Sequence, residues 1–278
     1  MAAEVVAGLV AHSLALLGDA AHMLTDVGAI ALSLVTIRLA ARPPAGGLTF
    51  GLRRAEVLSA LVNGATLFLL GGALVVESVR RLYAPTDVRG AVVLATALAG
   101  VAVNLLASRV LHGQSHSINV RGSVQHILTD LYAFSGTAVA GLVVLVTGFT
   151  RADPIASLLV AGLVLRGAGG LLRDAGRILL EASPSGTDPE EVGQAMADHP
   201  HVANVHDLHV WEVTTGFPAL SAHVVVHAGD DCHSIRLELE RLVAERFGIE
   251  HTTLQVDHER VERPLRVRPL AGRRGAGS

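Results

Sequence analysis

Four side chains in this 278-residue chain combine metal-donor chemistry with a repeated spacing: His22 with Asp26, and His126 with Asp130. Both pairs read His-x-x-x-Asp. Residues four apart on a helix lie one turn apart on the same face, so each segment offers one imidazole and one carboxylate in one direction. Two such helices facing each other supply two nitrogens and two oxygens, a donor set that suits tetrahedral zinc. Two carboxylates also balance the charge of a divalent cation. A lone His or Asp in an apolar helix is commonly held by an interhelical hydrogen bond. The same pair recurring in a second apolar segment calls for more than that. Histidine titrates near neutral pH and binds metal only when neutral, so protons compete with metal at His22 and His126. The chemistry points to a site that loads a divalent ion and exchanges it for protons.

The segments that carry these pairs are of membrane-spanning character. Half of the residues are hydrophobic, 17% are charged and the mean hydropathy is +0.48, a balance too apolar for an ordinary soluble protein of this length. A helix needs about 20 apolar residues to cross a bilayer. By that measure five full spans are expected, at Ser13–Ile37, Val57–Val79, Gly90–Leu111, Val124–Thr147 and Pro154–Leu172. The apolar stretch Met1–Ala11 before them is too short to cross alone and reads as an N-terminal stub. Arg-Pro-Pro, Ala-Pro-Thr-Asp, His-Gly-Gln-Ser and Arg-Ala-Asp-Pro breaks separate the spans. Arg38, Arg42, Arg53 and Arg54 flank the first full span, and Arg173 and Arg177 flank the last. They lean toward a cytoplasmic position for both flanks and for the C-terminal region of the chain. Arg80, Arg81 and Arg89 argue the other way. A net charge of −3 gives no footprint for nucleic acid. The single cysteine, Cys232, excludes an internal disulfide and a thiolate zinc cluster.

Composition changes near Glu181. Residues 1–182 form the expected transmembrane domain, Ser183-Pro184-Ser185-Gly186 the linker, residues 183–262 a small cytoplasmic domain, and residues 263–278 a disordered tail. The expected order in the cytoplasmic domain is a helix from Asp188-Pro189, strands over Val202–Val213 and Ala219–His227, a helix over Ser234–Phe247 and a strand over Thr252–Val256. This domain is rich in histidine, with His199, His201, His206, His209, His223, His227, His233, His251 and His258, many of them beside acids. Together they point to a second metal site. Among lesser candidates, Asp19 reads as an entry carboxylate, a group supporting His22 or a solvated helix start. Asn104 reads as interhelical glue, Asp153-Pro154 as a helix cap rather than a ligand, and His112 and His116 as loop histidines.

The segments Ser13-Leu14-Ala15-Leu16-Leu17-Gly18-Asp19-Ala20-Ala21-His22-Met23-Leu24-Thr25-Asp26 and Thr49-Phe50-Gly51-Leu52-Arg53-Arg54-Ala55-Glu56-Val57 resemble the second helix and the start of the third helix of the cation diffusion facilitator family, zinc-transporting branch. Gln125-His126-Ile127-Leu128-Thr129-Asp130 is similar to the fifth helix and Ala152-Asp153-Pro154-Ile155-Ala156-Ser157 to the start of the sixth. His206-Asp207-Leu208-His209-Val210-Trp211 resembles the signature of the family's cytoplasmic domain. The resemblance implies an α-helical transmembrane bundle with a C-terminal α/β ferredoxin-like domain, a homodimer in the lipid bilayer of a bacterial inner membrane, and zinc efflux coupled to proton entry. It implies a transport site of His22, Asp26, His126 and Asp130. A His at position 22 resembles the members selective for zinc over cadmium. It also implies His206, His223, His233 and Asp257 as zinc ligands of a structural or regulatory site that helps set the dimer. Most of the family's first helix is expected to be lacking. Leu48 and Leu52 stand where some relatives carry loop histidines, so no loop site is expected there. The competing expectations are a carrier of cobalt, iron(II) or cadmium, and a membrane sensor that binds metal without moving it. An intramembrane zinc hydrolase would need a base and an open metal position, and no His-Glu-x-x-His occurs.

Overall fold

A computed structural model describes residues 2–112 and 118–259, with the side chains of residues 110–126 outside the described set. The tail expected at residues 263–278 and His116 fall outside it as well. The chain divides into two compact units, residues 1–180 and 181–278.

The first unit is helical: α1 (Ala2–Ala11), α2 (Leu14–Ala40), α3 (Ala55–Tyr83), α4 (Gly90–His112), α5 (Ile118–Thr147) and α6 (Ala152–Leu179). Five of them, α2 to α6, are long and apolar enough to cross a membrane. Their outer faces carry large apolar side chains, among them Val27 and Ile30 on α2, Phe68 and Leu69 on α3 and Val146 on α5, all exposed. In water such a surface would drive aggregation, whereas hydrocarbon solvates it and the helices satisfy their own backbone groups. The inner faces are small and close-fitting. A Cβ on Gly90 would come within 2.6 Å of the Leu145 nitrogen, and one on Gly141 within 2.7 Å of the Leu94 nitrogen. These glycines let the backbones of α4 and α5 touch, the way lipid-embedded helices associate. Helix α6 packs along α3 through Leu67, Leu74, Val160, Ala161, Val164 and Ala168.

The helices outrun the hydropathy spans, most of all α6, which continues past Leu172 to Leu179. Hydropathy ends where Arg173 begins, but the helical hydrogen-bond ladder does not depend on apolar side chains. His112, expected in a loop, closes α4.

The second unit comprises α7 (Pro189–Ala197), β1 (Val202–Thr214), β2 (Phe217–Val226), α8 (Cys232–Phe247) and β3 (His251–His258). Helix α7 starts on Asp188, whose side chain accepts from the Glu190 nitrogen, and α8 ends on Gly248 at φ +70°, a left-handed cap that glycine adopts without strain. The sheet order is β1-β2-β3, with β2 antiparallel to β1 and parallel to β3. The parallel crossover through α8 and the helices on a single face make the ferredoxin-like arrangement. Its core holds Val192 and Met196 from α7, Ile235, Leu239 and Val243 from α8, and Leu220, Ala222, Val224 and Val226 from β2. Alternation along β2 turns Ser221, His223 and Val225 to the face away from this core.

Candidate metal-transport site

Helix α2 places Asp19, His22 and Asp26 at positions i, i+3 and i+7, one stripe of the helix. His22 Nε2 lies 3.6 Å from Asp26 Oδ2, as the four-residue spacing requires. Asp130 stands on α5, a helix that barely touches α2 directly. A cavity of about 190 Å3 opens between them, lined by Asp19 and His22 from α2, Thr129, Asp130 and Ala133 from α5, and Val160, Leu163, Val164 and Gly167 from α6. Two carboxylates and an imidazole therefore face one small space whose remaining wall is mostly aliphatic. In such low-dielectric surroundings charges act on one another far more strongly than in water. Of the four expected transport residues, the structure brings His22 and Asp130 to this cavity and holds Asp26 beside His22. His126 lies one turn from Asp130 on the same helix, and its side chain is outside the described set.

A buried latch sets where α2 begins. The chain breaks between α1 and α2 at His12, whose φ is +55°. The Ser13 side chain caps α2 by accepting from the Leu16 nitrogen. Asp153, fully buried in the first turn of α6, accepts from the Ser13 hydroxyl and, at 2.8 Å, from the Leu14 nitrogen. Arg81 of α3 donates to the His12 carbonyl at 2.6 Å and is itself held by Glu77 at 3.2 Å. From its sequence the Asp153-Pro154 dipeptide is expected to cap its own helix. In the structure α6 starts on Arg151 with no side-chain cap, and Asp153 binds the start of α2 instead. No signal within the Asp-Pro dipeptide names a partner 140 residues away. Asn104, expected to bridge helices, donates to the Gly100 carbonyl of its own helix at 3.1 Å, a neutral use of an amide in an apolar span.

In the second unit, β1 and β2 pair His206 with His223, and their rings lie 5.3 Å apart edge to face. A bulge between His206 and His209 puts Asp207 at φ +54°, from where its carboxylate reaches His209 at 3.2 Å and His223 at 3.9 Å. Asp257 lies opposite Val225 on β3 and accepts from Gln255 at 2.8 Å. His206, His223 and Asp257 thus belong to the open side of the sheet. His233 stands at the start of α8, and its backbone nitrogen donates to Asp231. Among the described residues no three His, Cys, Asp or Glu side chains converge closely enough to hold a metal. Several other histidines are tied to acids: His199 to Glu238 at 3.0 Å, His201 to Asp230 at 3.0 Å and His227 to Glu259 at 3.4 Å.

Two family descriptions match the chain: the cation efflux transmembrane domain over residues 1–180 and the cation efflux protein cytoplasmic domain over residues 184–259. Among curated proteins, it is 38% identical to the zinc transporter ZitB of Shigella flexneri over 267 residues, 95% of this chain and 85% of that one. It is 33% identical to the cadmium, cobalt and zinc/H(+)-K(+) antiporter of Bacillus subtilis, over 93% of this chain and 85% of that one. Among solved structures, the metal-bound C-terminal domain of the CzcD transporter from Cupriavidus metallidurans is 35% identical, covering 26% of this chain and 99% of that one at a TM-score of 0.25.

Proposed function

The chain belongs to the cation efflux family of membrane transporters, and from that premise we propose that it exports zinc in exchange for protons, with His22, Asp26, His126 and Asp130 holding the ion in transit. The observation that carries this reading is the cavity between the two His-x-x-x-Asp helices, where His22 and Asp130 already share a wall. Its donors are hard oxygen and borderline nitrogen, a mixture that favours zinc without excluding its neighbours in the affinity series. The name of the Bacillus subtilis relative spans cadmium, cobalt and zinc, so a broader divalent range is the second reading.

The donors themselves account for exchange. Zinc binds the neutral imidazoles and both carboxylates, and its charge is balanced within the membrane. Protons arriving at the same nitrogens and oxygens displace it, because a protonated imidazole has no lone pair to give. Alternating exposure of the cavity to the two sides then converts a proton gradient into zinc export. Arg38, Arg42, Arg53 and Arg54, at and beyond the C-terminal end of α2, support a cytoplasmic position for that end and for the second unit, in a bacterial inner membrane. The second unit joins two copies into a homodimer. His206, His223, His233 and Asp257 are its zinc ligands, a structural or regulatory site completed when the domain rearranges or pairs. The transmembrane domain covers residues 1–182 and the cytoplasmic domain residues 183–262.

The test is to reconstitute the chain into vesicles holding a trapped pH indicator and to add zinc outside. Zinc uptake with alkalinisation of the lumen is expected, as protons leave against entering zinc. Zinc uptake with no lumenal pH change would contradict the exchange.

A further inference from the structure

Among the described residues, Asp19 is the carboxylate on the cavity wall that the proposed four-residue site does not use. It is only 4% exposed, it lines the same cavity as His22 and Asp130, and its Oδ2 is buried with no hydrogen-bond partner among the described residues. It does not cap α2, since Ser13 performs the capping and Asp153 holds Ser13. The electrostatic surroundings sharpen the question. Asp19 is withdrawn from water, and Glu4 of α1, Asp130 of α5 and Asp26 of its own helix are its acidic neighbours. While ionised, an acid buried in a helical bundle among other acids, with one oxygen unanswered, is costly unless a cation answers it. Of the rest of the wall, Ala133, Val160, Leu163 and Val164 are aliphatic and Thr129 carries a hydroxyl.

The position along the helix gives the acid a direction. Asp19, His22 and Asp26 form one stripe, and seven residues of helix span about 10 Å. Asp19 lies at the end nearer the latch, away from the arginine-rich loop after α2. Resting on the transport reading above, we infer that Asp19 is a fifth zinc-contacting side chain, taking the divalent ion on the outward side of the four-residue set. Zinc loaded from the arginine-rich side meets Asp26 and His22 first and Asp19 last, and Asp19 provides the carboxylate toward which the ion moves as it leaves.

The experiment compares the full chain with Asp19→Asn, which keeps the shape and removes the charge, and Asp19→Glu, which keeps the charge. Two readouts are taken: the visible absorption bands of bound cobalt(II) in detergent, which report donor number and geometry, and zinc flux in vesicles with KM and kcat separated. The inference expects Asp19→Asn to shift the cobalt bands and to raise KM for zinc about 10- to 100-fold, the range found when a group supporting a metal site is removed. Asp19→Glu is expected to recover most of the KM change. Unchanged cobalt bands in Asp19→Asn overturn the inference, whether or not KM moves, because a merely structural acid would leave the metal's donors intact. If the Asn variant does not reconstitute, the Glu variant decides: a shifted cobalt band with flux retained supports the fifth contact, and an unshifted band overturns it. A wild-type chain that binds cobalt but moves no zinc contradicts the transport reading alone, and the cobalt comparison still decides Asp19.

Discussion

On the proposed transport reading, His22 is the side chain on which the choice of metal turns. With His126 it would supply the borderline nitrogen donors beside the two carboxylates, and Asp26 lies 3.6 Å away on the next turn. Replacing it by an acid removes a rigid imidazole that suits a small tetrahedral ion and gives a more flexible, more negative site that admits a larger one. His22→Asp is therefore expected to raise cadmium flux relative to zinc by about tenfold, equivalent to ~1.4 kcal/mol, measured by competition between the two ions in vesicles. An unchanged ratio would remove His22 from the selectivity account. The donor pairs are legible in the sequence because helical spacing alone puts residues four apart on one face. Asp19 is visible as an acid on nearly the same face, but its burial is not. That burial depends on α1, α5 and α6 closing over it, and no local pattern reports how distant helices pack. In the second unit, two alternating segments are enough to suggest the strands that pair His206 with His223. The bulge that swings Asp207 toward His209 and His223 is not legible, since nothing in the short motif requires a left-handed Asp.

At the scale of elements, the latch between Asp153 and the start of α2 fixes where the stripe of Asp19, His22 and Asp26 stands against α6. Removing the Ser13 hydroxyl takes away both the helix cap and one partner of the buried acid. Ser13→Ala is expected to destabilise the protein by about 1–3 kcal/mol, the cost of leaving a buried acceptor short of its partner, seen as a lower melting temperature in detergent. Asp153→Asn is expected to reduce zinc flux strongly even though Asp153 does not line the cavity. Stability and flux both at wild-type values in these variants would contradict the latch. The contact between α4 and α5 makes a second prediction at this scale. Any side chain at Gly141 meets the backbone of Leu94, so Gly141→Val is expected to force apart the helix that carries Asp130, lowering both stability and flux. The spans themselves are readable from hydropathy. Their true ends are not, because α6 continues through Arg173 and Arg177 on backbone hydrogen bonds that hydropathy does not sense.

The whole molecule consists of two units with separate cores. The second unit buries Leu239 completely among Val192, Met196, Leu220 and Val224, so a fragment of residues 181–278 is expected to fold alone with one cooperative transition. Leu239→Ala in that fragment is expected to cost about 2–5 kcal/mol through the cavity it leaves. Zinc is expected to raise the fragment's melting temperature by binding the folded state, and His223→Ala to abolish that rise while leaving the metal-free transition in place. A rise that survives His223→Ala would contradict the zinc site proposed for the second unit.

The central claim is that the two His-x-x-x-Asp helices carry zinc against protons, and zinc flux into vesicles under an imposed pH gradient tests it most directly, comparing the wild-type chain with Asp130→Ala. Zinc uptake driven by an acidic lumen in the wild type and lost in Asp130→Ala is the expected result. Flux that is indifferent to the gradient, or that persists in the Asp130→Ala variant, would contradict the account.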